Sequence, residues 1–148
     1  MYTTKTVPGF TLVEILLVIA LLGIMAGISI PLYYTFQLRN NLDLVSSSYA
    51  HTLRRAQALA RAVDGDISWG VHLTATTTIL FKGISFAARQ SDFDEISDIP
   101  ISIFHTGLGD VVFAKFTGFQ QQTGTTTFTS TDAESRAVAI NGKGMVSY

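Results

Sequence analysis

The chain has 148 residues and a formal net charge of −1, which leaves room for one globular domain and an anchor but not for two independent cores. It contains no cysteine, so a disulfide framework and a thiolate metal site are both excluded. Charged residues make up 14% against about 25% in ordinary soluble domains, and the near-neutral balance offers no electrostatic footprint for nucleic acid as the main partner.

The shortage of charge has a location. From Phe10 to Ile30 the sequence reads FTLVEILLVIALLGIMAGISI, with Glu14 as its sole charge. As a helix this stretch spans about 31 Å, close to the hydrocarbon thickness of a bilayer. Residues 10–30 therefore read as a transmembrane or filament-core helix. A secretory signal would have a shorter apolar run ending in a small-x-small cleavage site. Here the run passes into Ser29-Ile30-Pro31-Leu32-Tyr33-Tyr34, which is no such site. A plain anchor accounts for the length but not for Glu14, because an ionisable group inside an apolar span costs about 2.5–3.5 kcal/mol at mid-helix and points to function.

The residues around Glu14 carry a resemblance. Gly9-Phe10-Thr11-Leu12-Val13-Glu14, followed by an apolar helix, resembles the prepilin processing signature of type IV pilins and type II secretion pseudopilins. The resemblance implies cleavage after Gly9 by a prepilin peptidase, loss of residues 1–9 as a leader, and methylation of the new amine at Phe10. It also implies an assembly role for Glu14, whose carboxylate would pair with a neighbouring subunit's amine. Phe10 and Glu14 share one face if both are helical. Family leaders often carry Lys or Arg just before the glycine. Val7-Pro8 stand there in this chain, and Lys5 is the nearest positive charge. Gly23 and Pro31 fall where family members often carry helix-weakening residues, and Pro31 should kink a helix.

Past Pro31 the period stays helical while the polarity changes. Leu38, Leu42, Val45, Tyr49, Leu53, Ala56, Ala60 and Val63 recur at steps of three and four, an apolar stripe along one helix face. Residues 31–63 thus read as an amphipathic continuation, stopped at Asp64-Gly65-Asp66. From Ile67 the period becomes two: Ile67, Trp69, Val71 and Leu73 alternate with Ser68, Gly70 and His72. Further strands are predicted at 77–82, 99–105, 110–116, 125–130, 136–140 and 144–148. Asn141-Gly142 signals a hairpin between the last two. The strands of 64–148 need a cover, and the stripe supplies it. The predicted fold is α+β: a long N-terminal helix packed on an antiparallel sheet or small sandwich. The helix end, the WGVHL strand, a second strand ending at Lys82-Gly83 and a terminal hairpin resemble the pattern of H-type minor pseudopilins.

Chemistry is sparse. His51, His72 and His105 lack Glu or Cys at metal-ligand spacing. There is no Gly-x-Ser-x-Gly and no glycine-rich phosphate loop. Asp92, Asp94, Glu95 and Asp98 crowd one segment that lacks the glycine and final glutamate of a calcium loop, so it reads as a solvated loop. Arg54, Arg55 and Arg61 form a basic patch, read as ion pairs rather than a DNA site. Two threonine-rich stretches read as exposed sheet surface. No metal or cofactor is expected.

The resemblance implies a structural, non-enzymatic subunit of a pilus-like filament, made of its own copies or mixed pilins. Its partners would be membrane lipid, the prepilin peptidase and an inner-membrane assembly platform. Its place would be the cytoplasmic membrane as precursor and a cell-surface or extracytoplasmic filament afterwards. Within the family the alternative is a minor pseudopilin contacting exported proteins. Outside it, the alternative is a membrane-tethered binding domain or enzyme.

Overall fold

The computed structural model describes residues 9–148, with the side chains of residues 28–32 outside that description. Of the expected leader, only Gly9 falls among the described residues. The architecture is α+β. A single helix, α1 (Leu12–Arg61), runs for 50 residues and stays helical through Gly23 and Pro31. Eight strands follow: β1 (Trp69–Leu73), β2 (Thr77–Lys82), β3 (Gln90–Asp98), β4 (Ile103–Thr106), β5 (Asp110–Phe113), β6 (Gly124–Ser130), β7 (Ser135–Ile140) and β8 (Val146–Ser147). They form two four-stranded antiparallel sheets, ordered β3-β2-β1-β5 and β4-β6-β7-β8. The chain divides into two compact units, with the boundary between Phe36 and Gln37.

In the first unit every described side chain from Phe10 to Ala26 is exposed. Phe10, Leu12, Val13, Leu17, Ile19 and Ile24 each leave 60% or more of their surface open. The helix here is apolar all round, the composition of a span or a bundle core rather than a surface helix. Among the described residues, no helix is long and apolar enough to cross a membrane. The described part of the apolar segment ends at Gly27, short of the roughly 20 residues a span requires.

In the second unit the apolar stripe does what its spacing predicts. Leu38, Leu42, Val45, Tyr49, Leu53, Ala56 and Ala60 are all buried. From Leu42 on they join one core with Trp69, Val71, Leu73, Leu80, Val111 and Phe113 of the first sheet and Ile103, Phe128, Val138 and Ile140 of the second. Both sheets therefore share a single hydrophobic centre with the helix. The opposite face of the first sheet buries Phe81, whose ring lies on Gly70; a Cβ at Gly70 would meet it at 2.4 Å. Phe86 covers this side, with its ring centroid 3.7 Å from His72 and 5.7 Å from Phe81.

Several boundaries differ from the sequence reading. α1 stops at Arg61, and Val63 takes a left-handed conformation (φ 56°) ahead of a 3-10 turn over Asp64–Asp66. Such a backbone is unfavourable for a β-branched residue. Gly65 follows in the same region (φ 69°), where a Cβ would strike the Lys82 side chain at 2.0 Å. The predicted strand 99–105 shifts to Ile103–Thr106. The β7–β8 hairpin forms, with Ile140 opposite Val146. Its loop is longer than a two-residue turn: the Asn141 side chain accepts from the amides of Lys143 and Met145, and Gly144 rather than Gly142 carries the positive φ.

The acidic segment 92–98 is not a loop. It lies in β3, a nine-residue edge strand paired to β2 from Thr77↔Asp98 to Leu80↔Glu95. An edge strand is held by its backbone ladder more than by burial, and charges along it discourage pairing with other chains. That is why its apolar pattern was too weak to read.

Candidate assembly site at the N-terminus of the long helix

Gly9, Phe10 and Thr11 precede the first helical residue, Leu12. The hydroxyl of Thr11 accepts from the Glu14 amide at 3.3 Å, and the Thr11 carbonyl accepts from the amides of Glu14 and Ile15 at 3.1 and 3.2 Å. Thr11 is thus the N-cap, satisfying donors that a helix start leaves unpaired. Sequence reasoning passed over this role, although Thr11-x-x-Glu14 is a capping-box pattern. Glu14 sits in the first turn, where its carboxylate faces the positive end of the helix dipole. Because Phe10 lies before the cap, it and Glu14 are not i, i+4 neighbours on one helical face.

Among the described residues, nothing requires glycine at position 9. A Cβ there meets nothing within 4 Å, and the same holds at Gly23 and Gly27. Two interior glycines weaken a helix by about 1 kcal/mol each relative to alanine and gain no packing among the described residues. Gly23 and Pro31 lie farther along α1 and take no part in the N-terminal cluster. The side chain of Pro31 is outside the described residues.

Residues 5–30 match the family model of the prokaryotic N-terminal methylation motif. The N-terminus is a prepilin signature. Prepilin signatures mark type IV pilins and pseudopilins, whose motif is of a structural rather than an enzymatic type. The match ends at residue 30, so the likeness of the globular half to H-type pseudopilins remains one of pattern. No solved structure matches the chain.

Most of the other candidate groups have partners within the chain. Arg55 holds Glu95 by two contacts of 2.6 and 2.7 Å. Arg54 donates to the Val146 carbonyl and lies over the Tyr148 ring. Arg61 donates to the Thr117 carbonyl. Arg89 pairs with Asp94 at 2.7 Å. His72 pairs with Asp110, and His105 bonds the Thr74 carbonyl. Among the described residues, no group of His, Asp and Glu is arranged to hold a metal ion. On β6, Thr126 points into the core beside Tyr49, while strand alternation sends Thr125, Thr127 and Thr129 to the opposite face.

Proposed function

We propose that this chain is a structural, non-catalytic pilin-like subunit. It is held in the cytoplasmic membrane by residues 10–30, cleaved after Gly9 by a prepilin peptidase, methylated at Phe10, and assembled into a type IV pilus-like filament. One observation carries the reading: an all-round apolar helix, exposed along its described length, begins at a capped end that bears a single carboxylate. Such a surface needs lipid first and neighbouring helices later, since no polar face suits it to water. Within a helix bundle an unpaired Glu14 would be costly, whereas one beside an incoming subunit's Phe10 amine is compensated. The same pair sets the axial register of each new subunit.

The test is Glu14→Gln in the full-length chain. The variant should still insert in the membrane and lose its leader, because Gly9 and the apolar segment remain, and its filaments should be scarce or absent. The mature wild-type N-terminal peptide should begin at methylated Phe10 by mass spectrometry. Processed Glu14→Gln that assembles at wild-type levels would reduce Glu14 to a first-turn charge, worth about 0.3–1 kcal/mol through the helix dipole.

A further inference from the structure

The first unit ends in a second feature that the apolar segment does not explain. Tyr33, Tyr34 and Phe36 are 73%, 63% and 73% exposed, on backbone that belongs to α1. At about 100° per residue the three rings cover an arc of about 160°, about twice the arc of roughly 80° that Leu42, Val45, Tyr49 and Leu53 share farther along. Rings left open over so wide an arc suit a fluid surround better than a narrow packed seam. We propose that Tyr33, Tyr34 and Phe36 form an interfacial aromatic belt that sets the depth of the precursor in the bilayer. Its partner is the lipid headgroup region of the leaflet remote from Glu14.

This inference rests on the membrane anchoring proposed above and adds the residues that fix its depth. Charge alone leaves that depth open. Between Glu14 and Arg39 there is no charged residue, and the uncharged stretch is longer than the roughly 20 residues needed to span the hydrocarbon core. The aromatic residues close the gap. Tyrosine pairs an apolar ring with a polar hydroxyl, and that combination settles at the boundary between acyl chains and headgroups. Tyr33 lies nineteen positions after Glu14, about 28 Å of helix at 1.5 Å per residue, against a hydrocarbon thickness of about 30 Å. With the tyrosines at one interface, the Glu14 carboxylate therefore reaches the other. It is solvated there while the precursor waits, and enters an apolar surround only on assembly.

The experiment uses the absence of native cysteine. Leu22→Cys in the full-length chain takes a nitroxide label, and the protein is reconstituted in vesicles of phosphatidylethanolamine and phosphatidylglycerol. Label depth is read from relative accessibility to oxygen and to a water-soluble nickel chelate. The wild-type aromatic residues should give one deep position. Replacing Tyr33, Tyr34 and Phe36 together by serine should shift or broaden it, and replacing them by tryptophan should restore it. An unchanged deep label in the serine variant overturns the aromatic belt and leaves the anchor intact. A water-exposed label in every variant, with protein that does not float with vesicles, overturns the anchor and the belt with it.

Discussion

Tyr49 shows how one residue ties the helix to a sheet. Its ring meets Phe128 edge-on at 5.3 Å, and its hydroxyl lies 3.5 Å from that of Thr126. Burial raises its pKa above the ordinary value of 10.0, opposed in part by the Thr126 hydrogen bond. The folded state therefore favours the neutral phenol. Its contribution is fully present below the unfolded pKa and is lost as pH rises through the folded one, because the unfolded chain ionises first. Above about pH 10 the domain should lose stability more steeply than its Tyr49→Phe variant, as followed by urea denaturation across pH. Parallel curves for the two proteins would contradict this. Lys82 is a residue whose place no pattern foretold: it is buried, with its ammonium 4.1 Å from the Phe93 ring centroid and 5.8 Å from that of Trp69.

At the scale of elements, the second half of α1 is the organising piece. Leu53 is fully buried among residues of the shared core, so Leu53→Ala should cost about 2–5 kcal/mol, the usual range for a truncated core leucine. Arg55, two positions on, pairs with Glu95 in the open, with side chains 57% and 51% exposed. Solvent screening limits such a pair to about 0–1 kcal/mol, so Arg55→Ala should barely move the urea midpoint. Equal losses from the two substitutions would mean that the edge strand β3, not the stripe, holds the helix in place. The stripe was legible in sequence because burial imposes a period of three and four on residue choice. β3 was not, since its place at a sheet edge imposes no such period on Asp92, Asp94, Glu95 and Asp98.

For the whole molecule, the boundary at Phe36–Gln37 predicts that the globular part folds alone. A fragment from Leu38 to Tyr148 keeps the whole buried stripe and every strand, and it should be soluble with mixed α/β circular dichroism. A fragment from Asp64 exposes the core faces of both sheets and should aggregate. Comparable folding of the two would overturn the role given to α1. The longer fragment should also melt at the same temperature with and without calcium. The acidic residues lie along an extended strand, and Asp94 and Glu95 are already paired with arginines; a large upward shift would reveal a site that those pairs hide.

The sequence by itself determined the apolar first half of α1, the amphipathic second half, six of the eight strands to within a few residues, and the N-terminal signature. Each of these is a local pattern: a period, a run, or a short string of residues. Tertiary structure alone decided that the strands divide between two sheets around one core, that Glu95–Asp98 pairs with β2, and that Arg54, Arg55 and Arg61 find partners within the chain. These outcomes depend on partners distant in sequence, such as Glu95 for Arg55 and Thr126 for Tyr49. Side-chain identity along the chain does not encode which of several acceptors or strands will lie alongside; that follows from closing the core.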